Sequence, residues 1–196
     1  MDKTDEELVA DYLGGEENAF GELAKRHLPS AYSFALRFVG SREEAEDIAQ
    51  ETFLKAWKNL KQYRKEASKF KTWLLRITRN TAIDFLRKKK NIAFSGFENE
   101  SGENVLAETV ADQSPLPEEL FAKAGDSQEV NQALLQLSPR HRELLLLYYT
   151  NDLTFQEIGE VLGESQNTTK SRHRRALQAL RKILEQRGHS HPNTPE

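Results

Sequence analysis

Apolar residues recur along this chain three or four positions apart, and nowhere alternate with polar ones as a half-buried strand requires. The spacing predicts helices over 5–13 and 18–39, separated by Gly14 and Gly15. Phe20, Leu23, Ala24, Leu28, Ala31, Tyr32, Ala35, Leu36 and Val39 form the stripe of the second helix, with Pro29 a predicted kink or boundary. Gly40 closes that helix and Ser41 opens the next, where Ser41 and Glu44 have the spacing of a capping box. Over 41–60, Ala45, Ala49, Phe53, Ala56, Trp57 and Leu60 are expected on the core side, and Asp47, Gln50, Glu51, Leu54 and Lys58 opposite them. A leucine centred among carboxylates and amides suits a protein-docking surface or, equally, a solvated face with one stray apolar residue.

Residues 61–69 read as a basic loop, followed by a helix over 70–90. Phe70, Trp73, Leu74, Ile77, Thr81 and Phe85 make its broad apolar face, extended by Leu75, Ala82 and Leu86. Thr72, Arg76, Arg79, Asn80, Arg87 and Lys90 share the other. Aromatic rings beside a basic, amide-bearing face suit unpaired bases, which stack on rings while cations hold the backbone. Phe70 and Trp73 suit a core as well. The closing run Arg87 to Lys90 fits phosphate contacts or the negative end of the helix dipole.

Periodicity lapses over 91–127, where Gly, Ser, Pro and acids accumulate. A stretch of this length is too long for a loop within a compact domain and reads as a linker between two. Its negative charge suits mimicry of nucleic acid in a basic channel, or solubility alone. A short helix is expected over 127–137, and Ser138 with Pro139 opens another in which Leu144 to Tyr149 is apolar on nearly every side. Residues 152–187 then predict two helices joined by a turn at Gly163, with Ser165 capping the second and Gly159 leaving room for a close crossing. That last helix has a back of Thr169, Ala176, Leu177, Leu180, Ile183 and Leu184 and a front of Asn167, Ser171, Arg174, Arg175, Gln178 and Lys182. Cations for phosphates, with forks and amides for base edges, are what major-groove reading needs, and the pair looks like a helix-turn-helix.

The fold class expected is therefore all-α: two small helical domains joined by a flexible acidic linker. Charge sharpens this. The formal net charge of −3 hides ten Lys/Arg against two acids over 64–90, one Lys against nine acids over 91–131, and seven Lys/Arg against two acids over 164–187. Two basic blocks flank an acidic one. The absence of cysteine excludes disulfides and cysteine–metal sites, and His189 with His191 lacks a third ligand, so neither metal nor cofactor is expected. No apolar run approaches the roughly 20 residues of a membrane helix, and the acidic start is no signal peptide, which leads to a cytoplasmic location. Glu43, Glu44, Glu46, Asp47 and Glu51 spread around one helix instead of converging, which argues against an enzyme and a small-molecule substrate.

With these blocks in order, the chain resembles the bacterial RNA polymerase sigma factors of the extracytoplasmic-function type. EEAEDIAQETFLKAWKNL looks like their polymerase-binding segment, FKTWLLRITRNTAIDFLRKKK like their minus-ten-melting segment, and LSPRHRELLLLYYTNDLTFQEIGEVLGESQNTTKSRHRRALQALRK like their minus-thirty-five-reading domain. The resemblance implies a region 2 domain over 1–92, the linker over 93–127, a region 4 domain over 128–188 and a tail over 189–196. It implies that Asp47, Gln50, Glu51 and Leu54 dock on the clamp helices of the largest subunit of core polymerase. Tyr63, Arg64, Lys69, Trp73, Arg76, Asn80, Arg87 and Lys88 would hold the melted minus-ten strand, and Asn167, Lys170, Ser171, Arg172, Arg174, Arg175 and Gln178 the minus-thirty-five duplex. A flipped-out base costs a few kcal/mol to unstack, which a pocket in the 63–69 loop would offset. The linker would run toward the RNA exit region, and an anti-sigma factor is an implied partner. Glu164, Asn167, Thr169 and His173 depart from the family pattern. The alternative is a stand-alone helix-turn-helix regulator, which leaves 41–90 without a task.

Overall fold

The computed structural model describes residues 3–90 and 128–188, and all regular structure among them is helical. The predicted linker and tail, with both tail histidines, lie outside the described residues. Helix α1 (Asp5–Leu13) starts at a reciprocal capping box: the Thr4 hydroxyl accepts the Glu7 N–H and the Glu7 carboxylate accepts the Thr4 N–H. Helix α2 (Asn18–Val39) continues through Pro29, so no helix boundary falls there. Proline removes one backbone donor, but the buried Leu23, Ala31, Phe34, Ala35 and Phe38 on either side hold the helix to its neighbours. Gly40 then ends it at φ +82°, a left-handed conformation open to glycine without steric cost.

Helix α3 (Arg42–Asn59) begins where Ser41 Oγ accepts the Glu44 N–H, and a 3-10 turn (Leu60–Gln62) leads through a loop to α4 (Phe70–Lys90). The second half contains α5 (Gln128–Gln136), α6 (Pro139–Tyr149), α7 (Phe155–Leu162) and α8 (Gln166–Gly188). Ser138 caps α6 with Pro139 in its first turn, and Thr154 with Glu157 forms a second capping box at α7. Gly163, at φ +70°, reverses the chain between α7 and α8, and Ser165 Oγ accepts the Thr168 N–H. A Cβ on Gly159 would lie 2.6 Å from the Glu164 carbonyl oxygen. The close approach foreseen at that glycine is therefore made by the turn backbone.

The buried apolar residues form two clusters. One belongs to the first half alone and joins Leu8, Leu23, Ala56, Leu60, Phe70 and Leu74. The other crosses the chain: Phe34, Phe38, Ile48, Leu75 and Ala82 pack in one body with Leu134, Leu144 to Leu147, Ile158, Ala176 and Leu180. Helix α4 contributes to both, so it lies between the two halves. This explains why Thr72, expected on its polar side, is fully buried. Leu135 covers Gly40 so closely that a Cβ there would meet its Cδ1 at 2.8 Å.

Polar contacts reinforce the junction. Arg142 is buried, and its guanidinium donates to the carbonyls of Leu134, Leu135 and Leu137 in its own half and to Phe38 in the other, the last at 2.6 Å. Burial lowers its pKa to about 10. Asn151 donates to the Ser30 carbonyl and hydroxyl, and accepts Lys71 Nζ at its own carbonyl.

Candidate functional site

Three surfaces carry the candidate residues. On α3, Asp47, Gln50, Glu51 and Leu54 all point to solvent, with Leu54 49% exposed. Trp57, expected on the core side, is 50% exposed instead. The residues α3 buries are Ala45, Ile48, Ala49, Thr52 and Ala56; at about 100° per residue, Trp57 sits beyond the edge of that stripe. Its indole donates to the Tyr12 hydroxyl, and with Phe20, Gln50, Phe53 and Leu54 it lines an open groove. Apolar floor and acidic rim thus adjoin on one face.

The second surface is the loop before α4 and the polar face of α4. Tyr63 is buried, its hydroxyl donating to the Ser68 carbonyl at 3.0 Å and its ring packed between Phe70 and Trp73. Burial, with Glu6 and Asp5 nearby, pushes its pKa up to about 12. Tyr63 holds the loop, and Trp73 is half-buried in the same aromatic group. Arg64 is exposed and folds back onto the Lys61 and Tyr63 carbonyls. Asn80 is exposed in the middle of the helix, and Arg87 and Lys88 near its end. The cations between reach the second half: Lys69 pairs with Glu157 at 2.9 Å, Arg76 donates to the Glu160 carbonyl, and Arg79 pairs with Glu143 at 2.8 Å.

The third surface is the outer face of α8. Asn167, Lys170, Ser171, Arg174, Arg175 and Gln178 are all exposed on it. Arg172 does not share that face. It is buried between Glu164 at 2.5 Å and Glu143 at 3.5 Å, and burial lowers its pKa against their pull. Three of the four irregular positions pack inward: Glu164 meets Arg172, Thr169 is buried and donates to the Ser165 carbonyl, and His173 packs among Tyr148, Tyr149 and Phe155. Burial lowers the His173 pKa. These residues fix how α8 sits on α6 and α7, and leave the exposed face to others.

Glu143 was not among the candidates, yet it joins two of the three surfaces. It is 1% exposed on α6 and takes a guanidinium from α4 and another from α8. Burial holds its carboxyl above the usual range, while Arg79 and Arg172 pull the other way. The sequence signal was one acid before an unbroken leucine run. Its partners lie 64 and 29 positions away, where spacing carries no information. Among the described residues no group of three potential ligands could hold a metal ion, and no helix is long and apolar enough to cross a membrane.

Two family models match the chain. Residues 23–92 match the family model "Sigma-70 region 2" and residues 133–182 match "Sigma-70, region 4". The chain is 36% identical to the ECF RNA polymerase sigma factor SigW of Bacillus subtilis, over 87% of this chain and 91% of that one. It is 31% identical to ECF sigma factor SigE of Mycolicibacterium smegmatis, spanning 85% of this chain and 62% of the relative. Its backbone is similar to that of sigma factor RpoE from Bartonella quintana, solved with the anti-sigma factor NepR, with a TM-score of 0.63 at 25% identity over 86% of this chain and 98% of that one.

Proposed function

Because the chain belongs to the extracytoplasmic-function RNA polymerase sigma factors, we propose that it docks on core polymerase through Asp47, Gln50, Glu51 and Leu54 and reads promoter DNA with α4 and α8. It directs RNA polymerase to promoters, and sigma factors are transcription initiation factors, not enzymes in themselves. The observation that carries the docking reading is Leu54 standing out of α3 among two carboxylates and an amide, beside the groove of Phe20, Phe53 and Trp57. An apolar residue ringed by polar ones and continuous with an apolar groove is the anatomy of an interface centre. The clamp helices of the largest subunit are the partner proposed for it.

In the same reading, α4 holds the separated minus-ten strand with Arg76, Asn80, Arg87 and Lys88, helped by Arg64 and Lys69 of the loop. Tyr63 and Trp73 give that loop its shape. Helix α8 enters the minus-thirty-five major groove with Asn167, Lys170, Ser171, Arg174, Arg175 and Gln178, while Arg172 positions the helix from behind. An anti-sigma factor is a proposed partner, supported by the likeness to a sigma factor solved with one. The proposed location is the cytoplasm, where polymerase works. A stand-alone regulator is not favoured, since it gives the α3 face and α4 no task.

The test is binding to purified core polymerase. The double variant Asp47→Ala, Leu54→Ala is expected to bind core about tenfold or more weakly, roughly 1.4 kcal/mol, with an unchanged melting temperature. Equal affinity of variant and wild type removes the docking assignment.

A further inference from the structure

Three of the four irregular positions around α8 pack inward, and the fourth, Asn167, is exposed. Asparagine is one of the weaker helix formers, and where it stands at a helix start it ordinarily caps a backbone N–H. Asn167 does not. Ser165 Oγ accepts the Thr168 N–H at 3.1 Å and lies 2.8 Å from the Thr168 hydroxyl. The Ser165 carbonyl takes the N–H and the hydroxyl of Thr169 at 2.9 and 3.0 Å. Among the described residues no hydrogen bond holds the Asn167 amide. A side-chain amide that neither packs nor caps keeps its carbonyl and its NH2 free, side by side in one plane.

The surroundings narrow what those two groups can meet. Lys170 and Ser171 stand one turn further on the same face, and Arg174 and Arg175 two turns further, roughly 11 Å or about three base pairs along a duplex. Cations on such a face hold phosphates and seat the helix in the groove. Its first turns then lie closest to the base edges. The turn before Asn167 is firmly held. Glu164 pairs with the buried Arg172 at 2.5 Å, Arg172 meets Glu143 at 3.5 Å, and the Glu164 carbonyl leaves no room for a Cβ at Gly159. An amide carried on so rigid a support is presented in a defined place.

We propose that Asn167 selects an adenine in the minus-thirty-five element, its Oδ1 accepting from the adenine N6 amino group and its Nδ2 donating to N7. Adenine alone presents a donor and an acceptor together on its major-groove edge. Guanine presents two acceptors, cytosine a donor, and thymine an acceptor beside a methyl group. A guanidinium fits guanine, and a hydroxyl such as that of Ser171 meets several bases and selects little. Gln178, the other amide of the face, lies a further turn beyond Arg174, away from the first turns. The assignment rests on the reading of α8 as the minus-thirty-five helix, and goes beyond it in naming a base and the residue that selects it.

The test uses the full chain on purified core polymerase, selecting from promoter duplexes randomised across the minus-thirty-five region. Wild type is expected to enrich adenine at one position roughly fivefold or more over each other base. Asn167→Ala is expected to lose that preference while the other positions keep theirs within about twofold, its unfolding midpoint not lowered. In the selected promoter, 7-deazaadenine replaces N7 by carbon at that position. It is expected to weaken wild type roughly threefold or more and to leave the variant unaffected. The same adenine preference in both proteins, no adenine enriched by wild type, or a wild type indifferent to 7-deazaadenine overturns the assignment. That indifference together with a uniform loss over all sequences makes Asn167 a phosphate contact. Arg175→Ala, run in parallel, separates this from the underlying reading. A preference shifted by Arg175→Ala and not by Asn167→Ala removes only the adenine assignment. If neither variant shifts any preference, α8 does not read the minus-thirty-five element, and the functional reading falls with it.

Discussion

Helices α3 and α4 are neighbours of similar length, and each has a polar face opposite a buried one, yet the two polar faces meet different fates. That of α3 keeps Leu54 and Trp57 in solvent, and its Lys55–Glu51 pair, at 3.6 Å, is local and largely exposed. On that of α4 and the residue before it, Lys69, Arg76 and Arg79 reach acceptors more than sixty positions away in the chain, and Lys69 and Arg76 stay exposed as they do so. The contrast teaches how to separate a surface awaiting an outside partner from one the molecule answers itself. The first leaves apolar side chains exposed at some cost; the second gives several of its cations acceptors within the chain.

The most damaging way to break that contrast is to remove the acceptor at its centre. Glu143→Ala leaves two guanidiniums around a buried void and is expected to cost about 3–5 kcal/mol in urea unfolding. Asp47→Ala, on the open face, is expected to stay within about 0.5 kcal/mol of wild type in the same measurement. Similar losses in the two would erase the distinction.

Helix α8 offers a sharper version on a single element. Arg175→Ala is expected to weaken minus-thirty-five duplex binding by about 1–3 kcal/mol while leaving the unfolding midpoint unmoved. Arg172→Ala, three positions earlier but buried, is expected to lower that midpoint. Stability effects of equal size at 172 and 175 would show that the two arginines are not divided between packing and DNA.

The smallest expected effect is on pH. His173 is half-buried among aromatic rings, and that burial lowers its pKa. The unfolded chain then takes up a proton near pH 6.5 while the folded chain does not. Stability is therefore full above about pH 6.5 and falls as pH drops below it. His173→Phe is expected to flatten that part of the profile in thermal unfolding scans from pH 7.5 to 5. A parallel profile in the variant would assign the acid loss to other groups.

Much of the local structure was legible. The boundaries of α1 and α2, the Ser138–Pro139 start of α6, and the left-handed glycines at 40 and 163 follow from periodicity, caps and conformational preference, which act over a few residues. So does the exposure of Leu54 among Asp47, Gln50 and Glu51. The misplacements have two causes. Trp57 was put on the core side and Thr72 on the polar side because the pattern shows which residues share a side of a helix but not how wide a sector the neighbours cover. Arg172 was set beside Arg174 and Arg175 by the family resemblance alone, and periodicity had left it off that face.

By itself, then, the sequence determined an all-helical chain in two halves, where its helices start and stop, and which family it belongs to. Those properties depend on hydrogen bonds and side chains close along the chain, or on motifs that stand in order. Only the tertiary structure decided that the two halves share a core, that Glu143 sits between Arg79 and Arg172, and that cations of one candidate face reach acceptors in the second half. Those facts rest on contacts between residues 29 to more than 100 positions apart, and it is burial, absent from any one helix alone, that makes a single carboxylate decisive.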